Sequence, residues 1–366
     1  MDLFVFGSLR DPRLFHLIAG EGGTPTETVL PDYRVERVAG TTVPMLVPAV
    51  GELAKGVLWR GLSEAQMERL DAYELPWDYS RGSVVIDGIE AGVYFADLPN
   101  VASGELWSLE TWEQEDGDVS RMAAAEIALH SPPLSGEALR QQWKPIRARA
   151  AAHVRAGRET GPNEVRRAAG HSAIVKSRVL SGDFYKFRGV DLEREMFDGM
   201  ISEPIARETT VGFDAALVLP YDPVRDRVLL TEQFRTGPFF RKDGNPWMLE
   251  PVAGIVDDYE TPEDAARREA IEEAGLTIGE LLPVANAYPT PGNCTEFFYC
   301  YIGICDLPDD LPRLGGLDTE AEDIRLHLLD RERALGLVDS GEITVLPLIM
   351  MLYWLDRNRS EIAALA

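Results

Sequence analysis

A chain of 366 residues, 45% of them hydrophobic, is long enough to hold two domains with real cores rather than one. Its formal net charge of -25 excludes a nucleic-acid scaffold and an anionic membrane surface as partners, since both call for basic patches. The cysteines, Cys294, Cys300 and Cys305, are odd in number and show no C-x-x-C spacing, so neither a disulfide framework nor a zinc site is indicated and a cytoplasmic location is expected.

The chain opens with MDLFVFGSLRD, which lacks a basic region ahead of its short apolar run and does not read as a signal peptide. Residues 2–9 alternate like a buried strand and break at Gly7-Ser8, where a loop can present backbone N–H groups. Apolar runs at 43–50, 56–59, 84–86 and 92–95 add short strands, and residues 63–73 read as one amphipathic helix. The pattern predicts a small, mostly β domain. Phe6-Gly7-Ser8-Leu9-Arg10, Pro44-Met45-Leu46-Val47, and Leu70-Asp71-Ala72-Tyr73-Glu74 followed by Tyr79 and Arg81 resemble the γ-glutamylcyclotransferase-like (AIG2-like) fold. The resemblance implies a small mixed β-barrel over residues 1–107, a Gly-Ser loop that holds a γ-glutamyl group, and Glu74 as general acid/base in forming 5-oxoproline. The chain departs from that pattern at Leu75-Pro76, where the family carries glycine, and at Phe6, where it carries tyrosine. A structural or ligand-sensing domain, with Glu74 paired to a neighbour, is the alternative.

Residues 108–165 turn to helix formers. Pro132-Pro133 breaks the run, and Gly157 and Gly161-Pro162 close it, which predicts two helices bridging to a second domain over 166–366. The arginines between 140 and 158 alternate with alanines at helical spacing and read as a solvated helix face.

Strands are expected at 174–180, 186–195, 215–220 and 228–232, with a turn at Asp222-Pro223 between the last two. Next comes residues 254–276, GIVDDYETPEDAARREAIEEAGL. Thr261 supplies a cap, Pro262 the first helical position, Glu263 and Asp264 acids at the positive end of the dipole, and Gly275 the stop. Glu269, Glu272 and Glu273 then share one helix face, with Ile271 and Ala274 expected to pack inward on the other. On the helix alone, this is either a solvated acidic face or a set of oxygens for hard cations such as Mg²⁺. Further strands at 281–287, 296–304 and 324–329 and helices from Asp330 and Val345 complete an expected α/β/α sandwich; residues 343–355, too short to span a bilayer, read as part of a buried C-terminal helix.

The spacing of Gly254, Glu260, Arg268-Glu269, Ala270, Glu272-Glu273, Gly275 and Leu276 resembles the Nudix box of nucleoside-diphosphate-X hydrolases. The resemblance implies a metal-assisted hydrolase of a pyrophosphate link, with Glu269 and Glu273 as main metal ligands, Glu272 nearby, and Glu260 and Arg268 bracing loop against helix. The segments 219–226, Glu232-Gln233-Phe234-Arg235, 247–254 and Glu320-Ala321-Glu322-Asp323-Ile324 look like the bacterial ADP-ribose pyrophosphatase branch. That implies substrate contacts from Arg207 and Arg235, stacking of adenine on Phe184, a metal-bound Ala253 carbonyl, and a homodimer. Arginine suits the role because its planar fork matches phosphate oxygens, and bound cations with arginines would reverse the repulsion of an anionic substrate by this acidic chain. Glu320, in the acidic loop 315–323, is the general-base candidate, with Glu272 as the alternative, and Glu322 a further metal carboxylate. The expected reaction is Mg²⁺-dependent hydrolysis of ADP-ribose to AMP and ribose 5-phosphate, with Mn²⁺ as the alternative ion. The other readings are hydrolysis of another nucleotide sugar such as a GDP-sugar, a ligand sensor, and an N-terminal γ-glutamyl cyclotransferase.

Overall fold

Alternating apolar residues near the start of the chain become long paired strands. The computed structural model describes residues 1–97, 100–159, 164–167, 169–317 and 322–362. The wholly buried strand β1, Leu3–Val5, leads through a 3-10 turn at Ser8–Arg10 into helix α1, Pro12–Ala19. Asp11 caps α1 by accepting the Arg13 amide proton at 2.8 Å. Strands β2, Thr24–Val38, and β3, Pro44–Arg60, form a long antiparallel hairpin, and α2, Glu64–Glu74, starts at a Ser63–Gln66 capping box. Strands β4, Tyr79–Ile86, β5, Ile89–Ala96, and β6, Ala102–Leu106, complete a sheet ordered β4-β5-β1-β3-β2-β6.

That sheet corrects the expected barrel. Closure requires the two outermost strands to pair, whereas β4 and β6 stand at opposite ends of the order, and among the described residues no sheet closes. Helices seal the core instead: Leu14 and Phe15 of α1 and Met67 and Leu70 of α2 pack with Leu3 and Phe4 of β1. The two runs expected at 43–50 and 56–59 are one strand, β3. Its partner β2 has no counterpart among the sequence expectations, because Pro25, Pro31 and a left-handed Asp32 (φ 61°) interrupt the alternation at a shift in register.

The helical segment runs through α3, Leu109–Trp112, a π-helical stretch at Glu113–Gly117, α4, Asp118–Ala128, and α5, Gly136–Arg158. The break falls at Pro132-Pro133, as the sequence indicates. Two of its arginines depart from the expected solvated face: Arg140 and Arg158 are exposed, but Arg147 and Arg149 are 3% and 0% exposed. Each turns inward because a carboxylate meets it there, Asp116 for Arg147 and Glu126 for Arg149.

Strands β7, Ser172–Ser181, β8, Lys186–Arg194, and β9, Ile205–Val211, follow. The next elements are β10, Asp214–Asp222, β11, Arg227–Phe234, α6, Thr236–Arg241, β12, Trp247–Glu250, β13, Val252–Ile255, and α7, Pro262–Ala274. After them come β14, Leu281–Ala287, β15, Phe297–Ile304, β16, Leu314–Gly315, β17, Ile324–Asp330, α8, Arg331–Ser340, and α9, Leu346–Ile362. The larger sheet is ordered β14-β15-β10-β11-β17-β16, with β12 on β11 and β13 on β10. Alternation along β10 divides its side chains between two cores. Ala216 and Val218 pack with Ala265, Ala266 and Ala270 of α7, while Leu217, Leu219 and Tyr221 pack with Ala334 of α8 and with Leu348, Met351 and Leu352 of α9.

The chain divides into two compact units, Met1–Lys186 with Leu192–Pro204, and Phe187–Asp191 with Ile205–Ala366. The two-domain α+β class therefore stands, without the barrel. Among the described residues no helix is long and apolar enough to cross a membrane.

Candidate active site

Helix α7 begins where the Thr261 hydroxyl accepts the Asp264 amide proton and ends at Gly275 in the left-handed region (φ 64°). Its inner face is built of alanines, Ala265, Ala266, Ala270 and Ala274, together with Glu273, which is 1% exposed. Small side chains let the helix lie close to the sheet, and Glu269 and Glu273 are carried down with them. Ile271, expected to pack inward, is 56% exposed, so the carboxylate-bearing side faces the protein and the isoleucine faces out. Two glycines admit this approach. A Cβ on Gly254 of β13 would stand 1.8 Å from Glu269 Oε1, and one on Gly315 would stand 1.7 Å from the Glu273 carbonyl oxygen.

Arg268 is the hub of the acidic residues. Its Nε and Nη2 donate to the two Glu260 carboxylate oxygens at 3.1 and 2.7 Å, Nη2 also donates to Ile255 O at 3.0 Å, and Nη1 donates to Glu269 and Glu272 at 2.6 and 2.9 Å. Glu260 in turn accepts the Asp257 amide proton at 2.8 Å, which ties the loop before the helix to its middle. The bond to Glu260, with the neighbouring carboxylates, raises the Arg268 pKa further above its ordinary value. Burial pushes Glu269 up to about 7 against the pull of Arg268, and Glu272 and Glu322 add to the rise. Burial also pushes Glu273 up to about 9, reinforced by Glu269 and Glu322 and opposed by the Ala253 N–H, 3.3 Å away, and by Arg235.

The same region gathers Ala253 and Glu322, both named from the sequence. Ala253 pairs with Leu217 in the ladder between β13 and β10, and Glu322 accepts the Leu317 amide proton at 3.1 Å. Arg235, just beyond β11, is paired with Glu250 through Nε at 2.8 Å and Nη2 at 2.7 Å. Glu250 had no role in the sequence reading, and no local signal marks it, since the pairing depends on β11 lying beside β12. Arg207 on β9 directs Nη1 to the Ala206 carbonyl at 2.8 Å. Glu320 lies outside the described residues. Phe184 and Glu74 belong to the first compact unit, and the carboxylates of α7 to the second.

Glu74 lines a pocket with Gly7, Ser8, Pro44, Tyr79 and Tyr94. Burial pushes its carboxyl up to about 8, and the charge of Asp71 adds to the rise. Tyr79 donates to Pro44 O at 2.6 Å and Tyr94 to Asp71 at 2.9 Å, which fixes both rings at the rim of the carboxyl. A Cβ on Gly7 would stand 2.3 Å from Pro44 Cγ, so the loop requires glycine there. Asp116 and Ser120 also line the pocket, and no local signal marks them because they come from the helical segment that follows the sheet.

The family described as "NUDIX domain" matches residues 213–347, and that described as "Gamma-glutamyl cyclotransferase, AIG2-like" matches residues 3–114. The ADP-ribose pyrophosphatase of Escherichia coli (strain K12) is 39% identical over 183 residues, half of this chain and 84% of that protein. The chain belongs to the Nudix family. Of two other relatives, one carries the same substrate name and one a different one. The ADP-ribose pyrophosphatase of Haemophilus influenzae is 31% identical over 191 residues, covering 52% of this chain and 88% of that protein. The GDP-mannose pyrophosphatase of Salmonella choleraesuis (strain SC-B67) is 30% identical over 185 residues, covering 50% of this chain and 95% of that protein.

Nudix proteins generally use divalent metal ions, and the donors around α7 suit one chemically. Glu269 and Glu273 are hard oxygen donors, and burial together with the charge of neighbouring carboxylates favours their neutral forms, which a bound cation would reverse. Among the described residues no group of three His, Cys, Asp or Glu side chains is gathered closely enough to hold an ion. Arg268 engages Glu269 and Glu272 in the arrangement seen here, so carbonyl, water and substrate oxygens would complete the ion's shell.

Proposed function

We propose that this Nudix chain hydrolyses the diphosphate link of ADP-ribose to AMP and ribose 5-phosphate with Mg²⁺, Mn²⁺ being the alternative ion. The observation that carries the reading is the buried Glu273 and half-buried Glu269 beside Ala253 and Gly254, with Arg268 and Glu260 bracing the turn. The identity to ADP-ribose pyrophosphatases, 39% and 31% against 30% for a GDP-mannose pyrophosphatase, slightly favours ADP-ribose as the substrate. In this reading the Nudix function resides in residues 166–366, preceded by the AIG2-like domain, 1–107, and the linking segment, 108–165.

Glu269, Glu273, Glu322 and the Ala253 carbonyl would hold the ion. When bound, it would offset the diphosphate charge and make water easier to deprotonate. Arg235 and Arg207 bind phosphate oxygens, Arg235 by exchanging its bonds to Glu250 for bonds to substrate. Phe184 stacks on the adenine. Glu320, or Glu272 in its place, takes the proton of the water whose oxygen attacks one phosphorus, and the bridging P–O bond breaks, leaving its electron pair on the departing phosphate. A panel of ADP-ribose, GDP-mannose and other nucleotide sugars, assayed on the full-length chain with and without Mg²⁺, tests the reading. Mg²⁺-dependent release of AMP fastest from ADP-ribose is expected; preference for a GDP-sugar would move the substrate, and no turnover of any diphosphate would overturn the function.

A second reading applies to the N-terminal pocket. Its half-buried Glu74, neutral up to about pH 8 and lining the same pocket as the Gly7-Ser8 loop, suits a general acid/base that forms 5-oxoproline from γ-glutamyl compounds. Release of 5-oxoproline from γ-glutamyl peptides, absent in Glu74→Gln, is the expected result; no release from the native chain would leave this pocket without that activity.

A further inference from the structure

The N-terminal pocket has one wall that the AIG2-like match does not reach. Asp116 and Ser120 of that wall come from the helical segment, Arg147 of α5 is bonded to both, and the whole pocket belongs to the first compact unit. The three side chains form one buried group. Arg147 Nη2 donates to Asp116 Oδ1, its Nη1 donates to Ser120 Oγ at 3.0 Å and to Asp116 Oδ2 at 3.4 Å, and Ser120 donates to Asp116 Oδ2 at 2.6 Å. A carboxylate offers about four lone-pair positions, so these bonds leave Asp116 able to accept one further donor. Ser120 Oγ, which gives one bond and receives one, also keeps an acceptor position.

Asp116 reaches the pocket from the π-helical stretch Glu113–Gly117, a wide turn of the kind that recurs at functional sites. The turn Leu75–Trp77, where the chain departs from the AIG2-like pattern, brings Trp77 to the same pocket. That ring already faces a cation, with Arg147 Cζ 5.9 Å from its centroid. Tyr73, Tyr79, Tyr94 and Trp112 supply further rings. Among the described residues no lysine, arginine or histidine lines the pocket, and the Glu74 carboxyl makes no hydrogen bond. Carboxyl oxygens and ring faces with no basic side chain between them favour a positively charged group and penalise an anionic one.

We propose that this pocket binds its ligand through a primary ammonium group received by Asp116 and Ser120, with Arg147 as the positioning residue that fixes both acceptors. The inference rests on the γ-glutamyl reading of the pocket and gives it a specificity. The ammonium is the α-ammonium of the γ-glutamyl group, or one carried by the amine joined to that group.

Calorimetric titration of the full-length chain tests this, in Glu74→Gln so that no ligand is consumed. Three ligands separate the sources: γ-glutamyl methylamide carries the α-ammonium, glutaryl 2-aminoethylamide carries an ammonium on the amine side, and glutaryl methylamide carries none. At least one ammonium compound should bind about tenfold more tightly than glutaryl methylamide, the gain of a charge-assisted hydrogen bond, and the one that does names the source. With Asp116→Asn added, that preference should disappear. Ser120→Ala removes no charge, should reduce the preference about threefold, and serves if Asp116→Asn fails to fold. Arg147→Lys keeps the charge and loses the fork, so the preference should shrink several-fold while glutaryl methylamide binds as before. An unchanged preference, or equal weakening of all three ligands, overturns the positioning role. Equal binding of the three ligands, binding of none, or a preference that survives Asp116→Asn or Ser120→Ala overturns the ammonium site. Release of 5-oxoproline by the native chain would in those cases leave the γ-glutamyl reading standing, and its absence would remove that reading as well.

Discussion

Glu74 and Glu273 are both carboxyls that burial keeps neutral, one to about pH 8 and the other to about 9, yet their neighbours differ in kind. Beside Glu74 the charged neighbour is Asp71, itself engaged by Tyr94 and Arg81, and the pocket around them is aromatic. Beside Glu273 stand Glu269 and Glu322, with Arg235 and Arg268 nearby. A lone neutral acid among rings is prepared to give and take a proton without help. Carboxyls brought together on α7 ionise jointly at less cost when positive charge arrives, a condition that the proposed divalent cation would meet. Burial alone therefore does not distinguish the two roles proposed for these acids; the number and kind of charged side chains gathered around each one do.

The sharpest break between the two regions is Glu273→Gln, which removes one ligand charge with almost no change in size. Mg²⁺-dependent hydrolysis should fall about 10²- to 10³-fold, corresponding to several kcal/mol of lost charge stabilisation. Any 5-oxoproline formation should be unchanged, and a native hydrolysis rate would show that the α7 carboxyls are not ligands. Gly254→Ala should act on the same site by displacement, since the new methyl would fall 1.8 Å from Glu269 Oε1. A cost of about 1–3 kcal/mol in urea unfolding is expected, with a clear loss of hydrolysis.

Glu74→Gln sharpens the other half of the comparison through pH. The folded chain keeps the Glu74 proton up to about pH 8, whereas the ordinary carboxyl value is 4.5. The stability tied to that proton is full below pH 4.5 and is lost as pH rises through about 8. Glutamine cannot ionise, so in unfolding experiments the variant should gain on the native chain as pH rises from 4.5 to about 8 and match its pH slope outside that window. The smallest effects are at the helix starts: Ser63→Ala and Thr261→Ala should each cost about 1 kcal/mol in thermal unfolding, the usual loss of a cap.

What the sequence disclosed was local. The caps and stop of α7, the Ser63 start of α2, the turn at Asp222-Pro223 and the helices after Asp330 and Val345 all follow from residues within a few positions of one another. The acids of α7 were likewise legible as a group. Their direction was not, because a periodic reading assigns charge to the outside, and here four alanines make the charged side the one that packs. The buried arginines of α5 escaped for the same reason: their carboxylate partners are 23 and 31 residues away in the chain. Strand order, which decided between an open sheet and a barrel, is a property of pairing between distant segments and leaves no mark on a single strand.

The alanines under α7 have a consequence for variation at positions that touch no chemistry. Ala265, Ala266 and Ala270 have no exposed surface and set the spacing between helix and sheet, much as a shim sets the gap between two plates. A valine at any of them would thicken the shim, and because Gly254 and Gly315 leave no slack on the carboxylate side, the lift would be felt first where Glu273 meets Ala253. The reach of two acids is thus governed by the bulk of three inert neighbours.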